Sequence, residues 1–392
     1  MWWNWDSMPA LSQPSSLRHR FLMSPPPTAT ESAFRIRRIC DPKDWKALEA
    51  RWDALLKNSA ADAVFLCWDW LDTWLTVYGG GGEWVILAAE DADGRLLGVA
   101  PMMLDRGAGI PGRWIRRLML LGQKADTASE YLDWIIECGR ESEIGDAFTR
   151  FILQDMAGEW DLLWFDAMLS TSPTIARLQK HLGSKLTVKE LSTAPFVRLA
   201  DSWEEFLASK RAKFRSRWNK FHREHRVELR LAGRDLSVSE GMAIIRQLNE
   251  KRWGDERQSF LSDNYKRFHD QVAERLHRRG DLMLIFLEVD GVIIAGRYDF
   301  TYGGKGWSFQ GGWLPEWEKL SAGKLMLTEI MRYCIEHGVR EYDFLGGKAS
   351  YKDDWADEAR TIVTLEARNP RSLRGLIHQK ARDLKRRLAA KR

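Results

Sequence analysis

The sequence predicts an α/β (α+β) fold of two tandem domains, each a mixed, mainly antiparallel sheet flanked by helices. Two observations carry that expectation. The chain has 392 residues, too many for one ordinary hydrophobic core. The order of helical and strand periodicities in residues 34–195 also returns in residues 196–368: helices, an antiparallel hairpin, a further strand, a helix, then a strand. Short likenesses accompany the repeat. Gly94-Arg95-Leu96-Leu97-Gly98 stands beside Gly291-Val292-Ile293-Ile294-Ala295-Gly296, and Trp160-Asp161-Leu162-Leu163-Trp164-Phe165 beside Glu341-Tyr342-Asp343-Phe344-Leu345.

Residues 1–33 are expected to be disordered, because Pro9, Pro14 and Pro25 to Pro27 interleave with Ser and Thr and interrupt any ladder or helix. Met23 is a second candidate start. Phe34–Ile39 alternates as a strand. Trp45, Leu48, Trp52 and Leu55 then recur at helical spacing, and a Trp-rich helix at Trp68–Tyr78 ends in the Gly79–Gly82 run. Strands Trp84–Ala89 and Leu96–Leu104 flank the turn signal Asp91-Ala92-Asp93-Gly94. Strands at Arg117–Leu121 and Tyr131–Glu137, a helix at Ile144–Met156, a strand at Trp160–Ala167, a helix at Thr174–Leu182 and a strand at Leu186–Leu191 complete the first domain.

In the second domain Ser202–Arg226 reads as one long basic helix and Val227–Leu231 as a strand. Helices Ser239–Trp253 and Asp263–Arg279 precede strands Leu282–Val289, Val292–Thr301 and Trp307–Trp313. A helix over Ala322–His337 is ended by Gly338, and strands Glu341–Leu345 and Thr361–Ala367 close the domain. Residues 369–392 read as a basic amphipathic helix with Leu373, Leu376, Ile377, Ala381, Leu384 and Leu388 on one side, suited to docking or to peripheral contact with a membrane.

Composition narrows the function classes. With 44% apolar and 29% charged residues the chain is globular, and no apolar run approaches the roughly 18–20 residues that span a bilayer. The start lacks a basic cluster followed by an apolar block, so a cytoplasmic protein is expected. Cys40, Cys67, Cys138 and Cys334 form no C-x-x-C pair, which points to free thiols, not to zinc or a disulfide framework. The net charge of +5 is local: residues 371–392 hold nine Lys/Arg against Asp383, and the remainder of the chain is slightly acidic. A DNA-coating role is excluded on that ground.

Several motifs fail on context. Gly107-Ala108-Gly109-Ile110-Pro111-Gly112 spells a dinucleotide fingerprint, but a strand follows where a helix must open. Gly323-Lys324 is followed by Leu325, not by the Ser/Thr that binds Mg²⁺, so phosphoryl transfer is rejected. His222 and His225 lack metal-ligand spacing and read as polar members of a solvated basic helix, and no metal is expected.

Trp307 to Trp355 is more informative. A strand enters a polar loop, and Ser321-Ala322-Gly323-Lys324-Leu325 opens a helix, with Ser321 placed as N-cap. The first-turn amides have no intrahelical acceptors, and Gly323 allows close approach of a bulky anion. A pyrophosphate fits there, helped by Lys324 and the helix dipole, although a plainly capped crossover would read the same way. A second basic feature is the row Lys210, Arg211, Lys213, Arg215, Arg217, Lys220, Arg223 and Arg226, either a solvated face or a positive wall for phosphates.

Ser321-Ala322-Gly323-x-Leu325-Met326, then Tyr342-Asp343-Phe344-Leu345-x-Gly347 and Tyr351-Lys352-x-x-Trp355, resembles the GNAT acyltransferases of the CelD type, associated with cellulose biosynthesis. These are related to the Fem-type transferases with paired GNAT domains. The resemblance is strong over Trp203–Trp355 and weak before it, and Ala322 replaces the usual Pro. It implies two tandem GNAT-like domains, a degenerate one at 34–195 and an acetyltransferase at 196–368. It implies acyl transfer, with acetyl-CoA as co-substrate held by Ser321, Ala322, Gly323, Lys324 and Leu325. The acceptor implied is an amine or hydroxyl, on a saccharide or cell-envelope precursor. Arg215, Arg217, Trp307, Gln310 and Trp355 are assigned to the substrate. GNAT geometry puts the thioester where the strands around the pyrophosphate helix splay, which nominates Asp343 as base, Tyr351 as proton donor to the thiolate and Lys352 as a charge stabiliser. The alternatives are a Fem-like enzyme using aminoacyl-tRNA and a non-catalytic GNAT-fold accessory of polysaccharide synthesis.

Overall fold

Thirteen strands among the described residues hydrogen-bond into one sheet. The computed structural model describes residues 34–79, 83–106, 114–123, 126–210, 212–253, 262–347, 352, 355–356 and 358–389. The expectations for residues 1–33, for the glycine runs 80–82 and 107–112 and for Tyr351 lie outside them. Residues 34–392 are one unit.

The first half supplies β1 (Arg35–Ile39), β2 (Glu83–Glu90), β3 (Leu96–Asp105), β4 (Arg117–Leu120), β5 (Ile135–Ile136), β6 (Leu162–Leu169) and β7 (Leu186–Arg198). Its helices are α1 (Pro42–Lys46), α2 (Glu49–Lys57), α3 (Trp68–Tyr78), α4 (Glu141–Gln154) and α5 (Pro173–Leu182). The second half supplies β8 (Val227–Leu231), β9 (Leu282–Val289), β10 (Val292–Tyr302), β11 (Lys305–Trp313), β12 (Glu341–Asp343) and β13 (Glu358–Arg368). Its helices are α6 (Trp203–Ser209), α7 (Ala212–Glu224), α8 (Val238–Trp253), α9 (Asp263–Arg279), α10 (Ala322–Glu336) and α11 (Leu373–Ala389).

The strand order is β1-β2-β3-β4-β6-β13-β7-β12-β11-β10-β9-β8, with β5 on β3. It is symmetric about the β13–β7 pair. On each side four antiparallel strands lead to one parallel pair, β4 with β6 and β11 with β12, and then to a strand lent by the other half. The two expected sheets therefore join into one. The long ladder from Glu358↔Phe196 to Ala367↔Leu186 leaves neither half with a free inner edge.

Tryptophan and phenylalanine weld the halves. Phe65 and Trp70 meet Phe300 at centroid distances of 6.5 and 5.6 Å, and Trp70 meets Phe268 at 5.1 Å. All four side chains are fully buried. Edge-to-face packing of such rings adds roughly 0.5–1.5 kcal/mol per pair beyond burial. Arg275 and Arg279 on α9 add ion pairs to Asp72 and Asp53 at 2.8 and 2.5 Å.

Five elements depart from the sequence reading, among them the strand over Leu186–Leu191, which runs on to Arg198. The helix over Trp45–Leu56 breaks into α1 and α2. The helix over Ser202–Arg226 breaks after Ser209, where Lys210 turns extended and Arg215 donates to the carbonyl oxygens of Ala208 and Lys210 at 3.0 and 2.6 Å. The strand over Tyr131–Glu137 shrinks to Ile135–Ile136, because Tyr131 sits at φ +56°. The strand over Glu341–Leu345 ends at Asp343, because Leu345 sits at φ +58°. Both left-handed residues are held by tertiary hydrogen bonds that local alternation cannot report.

Candidate functional site

Strand β12 pairs with β11 only through Lys305↔Glu341, Gly306↔Tyr342 and Trp307↔Asp343. Beyond that β12 stops and β11 runs on to Trp313, so the sheet opens at this point. On its other side β11 carries a bulge against β10, between the Tyr298 and Phe300 pairings. Asp299, fully buried, holds the bulge through Phe309 N–H at 2.9 Å and ties β10 to β12 through the Tyr342 hydroxyl at 2.5 Å.

The chain leaves β11 through a 3₁₀ turn, Pro315–Leu320, and enters α10. Ser321 is a backbone cap, not the side-chain cap expected: it takes φ +59° and makes no side-chain capping bond. The preceding turn forces this, since Ser321 N–H donates back to Glu318 O at 2.7 Å. Ser321 O accepts from the amides of Lys324 and Leu325, leaving those of Ala322 and Gly323 ahead of the first helical bond. Gly323 has a packing reason of its own. A Cβ there would lie 3.0 Å from the Trp313 ring, over which the Arg252 guanidinium stands at 3.3 Å.

Facing this helix start is α7. Between them lies a cavity of about 600 Å³, walled by Phe214, Trp218 and Phe221 on one side and by Leu320, Ser321 and Leu325 on the other. Lys220 and Lys324 stand on opposite walls. The two histidines are each 26% exposed, and both face carboxylates. His222 Nε2 faces the buried Glu329 of α10 at 2.9 Å, and His225 Nδ1 meets Asp290 at 2.7 Å, so both fix α7 against its neighbours.

At the sheet opening a second cluster gathers from both halves. Asp343 is fully buried. It accepts from Tyr131 O–H at 3.0 Å, Leu345 N–H at 2.7 Å and Arg360 Nη1 at 2.7 Å. Burial pushes its carboxyl up, against the pull of the Leu345 amide and Arg360. Glu130, partly buried, accepts from Gly346 N–H at 2.7 Å. Burial pushes Glu130 up to about 7, opposed by that amide and by Lys352. Lys352, itself buried, donates to the carbonyl oxygens of Leu345 and Gly346 at 3.0 and 2.7 Å. The turn Leu345–Gly347 is thus clamped by three side chains.

Of the residues expected at the site, Ser321, Lys324 and Leu325 line the cavity and Ala322 is buried beneath it. Gln310 accepts from Tyr265 O–H at 3.2 Å, and Trp307 lies in the core with its indole N–H on Tyr302 O. Trp355 stacks on Phe206 at 6.4 Å, with Lys210 over its ring at 5.4 Å. Arg215 is turned onto backbone carbonyls, and the side chain of Arg217 lies outside the description. The sequence reading missed Glu130, Tyr131 and Arg360. No local signal marks the first two, which stand 212 residues from Asp343 in the case of Tyr131.

The family described as Acetyltransferase (GNAT) domain matches residues 208–353, within the second half of the chain. No curated protein sequence matches the chain. Among solved structures, FemX is 13% identical with a TM-score of 0.59, over 84% of this chain and 96% of that one. L-PGS from Bacillus licheniformis is 14% identical with a TM-score of 0.50, over 88% and 96%. A conserved protein of unknown function from Bacteroides thetaiotaomicron is 12% identical with a TM-score of 0.50, over 81% and 97%. Likeness at these identities is likeness of fold, and it runs through both halves.

Proposed function

We propose that the protein transfers an acyl group, acetyl in the simplest case, from acyl-CoA to an amine or hydroxyl acceptor, with a saccharide or envelope precursor as the acceptor class. One observation carries the reading: the cavity between α7 and α10 coincides with the helix start that the sequence nominates for a pyrophosphate. Its apolar walls suit a pantetheine arm, and Lys220 and Lys324 with the free first-turn amides suit the phosphates. The open gap between β11 and β12 would receive the thioester.

In this reading Asp343 is a positioning residue, since its oxygens are engaged by Tyr131, Arg360 and Leu345. It holds the turn that brings Gly346 to Glu130. Glu130 has the better claim as proton acceptor. It is partly open to solvent, makes one described hydrogen bond, and is poised near neutral pH by burial. Lys352 steadies the turn carbonyls. Tyr351 keeps its assignment as proton donor to the leaving thiolate.

A second reading rests on the exposed cations on α7 and just beyond it, Lys220, Arg223 and Arg226: a tRNA-borne aminoacyl donor. Thermal shift and calorimetry with acetyl-CoA, CoA and aminoacyl-tRNA separate the two. A ligand at 100 times its Kd should add about 2.7 kcal/mol of stability. Stabilisation by acetyl-CoA and not by tRNA supports the first reading. Stabilisation by aminoacyl-tRNA alone, falling steeply with salt, would replace it with the second. No shift with either would leave an accessory scaffold.

A further inference from the structure

The C-terminal helix α11 is anchored by one face. Ser372 Oγ donates to Asp161 at 2.6 Å and accepts from Gly375 N–H at 2.9 Å. A Cβ on Gly375 would meet Asp161 O at 2.7 Å, and Arg382 bonds Glu366 of β13. The opposite face is bare. Leu373 and Ile377, one turn apart, are 70% and 51% exposed and begin an apolar stripe. Arg371, Arg374 and Lys380 beside them are exposed as well. The sequence carries the same apolar spacing on through Leu384 and Leu388, among Lys385, Arg386 and Arg387.

Three coverings suit a bare apolar stripe, and charge decides among them. A second copy would bring the same nine cations of residues 371–392 against each other. Residues 1–33 carry Arg18 and Arg20 against Asp6 and Glu31, so they offer no negative excess. An anionic lipid surface satisfies both features at once: the stripe enters the headgroup boundary and the flanking cations meet the phosphates. No helix among the described residues is long and apolar enough to cross a membrane, so such a contact is peripheral. We propose that α11 is an interfacial helix that docks this protein on the surface of an anionic lipid bilayer. This is independent of which donor the cavity holds.

The test is co-sedimentation of the full chain with vesicles of phosphatidylcholine alone and of phosphatidylcholine mixed with phosphatidylglycerol. Binding is expected to the mixed vesicles and to weaken as salt is raised. The double variant Leu373→Asn/Ile377→Asn should lower the partition coefficient roughly tenfold or more. The variant Arg371→Gln/Arg374→Gln/Lys380→Gln should flatten the salt dependence. Both changes lie at exposed positions, so an unchanged melting temperature confirms that the fold is kept. Absence of binding to anionic vesicles, or equal binding by the apolar variant, overturns the proposal. So does a dimer in sedimentation velocity that the apolar variant dissociates. Vesicle binding that appears only after removal of residues 1–33 would assign the stripe to that segment instead.

Discussion

Glu130→Gln should make the protein more stable and a poorer catalyst, and its stability gain should depend on pH. Glu130 is held at about 7 instead of its ordinary 4.5, chiefly by burial. The unfolded chain releases this proton near pH 4.5 and the folded chain near pH 7. Between those values the folded state holds the extra proton, so wild-type stability falls as pH rises through the window and levels off above it. At about 1.4 kcal/mol per pH unit the full penalty is roughly 3 kcal/mol, and residual solvent contact reduces the expected figure to about 2 kcal/mol. Glutamine keeps an oxygen for Gly346 N–H and has no proton to lose. Urea unfolding of both proteins reads the difference, and titrating groups distant from Glu130 cancel in it. The variant's advantage should be near zero at about pH 4 and about 2 kcal/mol at about pH 8. In turnover the variant should lose roughly 10²–10⁴ in kcat with donor affinity kept. An advantage that does not vary with pH would refute the argument that burial poises this carboxyl. A pH-dependent advantage with unchanged kcat would leave the electrostatics standing and remove Glu130 as proton acceptor.

Lys324→Ala should weaken acetyl-CoA binding roughly tenfold by calorimetry, since the side chain stands at the cavity wall. Gly312→Ala should cost about 2–3 kcal/mol in urea unfolding, because its Cβ would lie 2.6 Å from the backbone of Leu248 on α8. Gly323→Ala should act through the Trp313 ring before any ligand is present, so its melting temperature should fall even in the absence of CoA. Tyr131→Phe removes a donor from the buried Asp343 and should cost about 1–3 kcal/mol. A chain beginning at Ala33 should melt with the full-length protein; a clear loss would show that residues 1–33 contribute to the fold.

Local pattern was enough for most of the elements. The alternation of Leu282–Val289 and Val292–Tyr302 around Asp290-Gly291, and the helical spacing of Trp68–Tyr78 and Asp263–Arg279, are written in the residues themselves and form almost where expected. The start of α10 was legible for the same reason: a helix start with a glycine beside it is a local feature, and a cavity opens against it. What the sequence left open depends on contacts between distant segments. The exchange of β7 and β13 between halves is set by which edges must be closed, and neither strand's alternation names its partner. The left-handed turns at Tyr131 and Leu345 exist because Asp343, Glu130 and Lys352 hold them. Asp343 could be picked out as an acid at a strand end, but its engagement by Tyr131 and Arg360 could not. Glu130 offers no motif at all: its raised proton affinity comes from burial, against the pull of the Gly346 amide, and burial is a property that only the folded chain possesses.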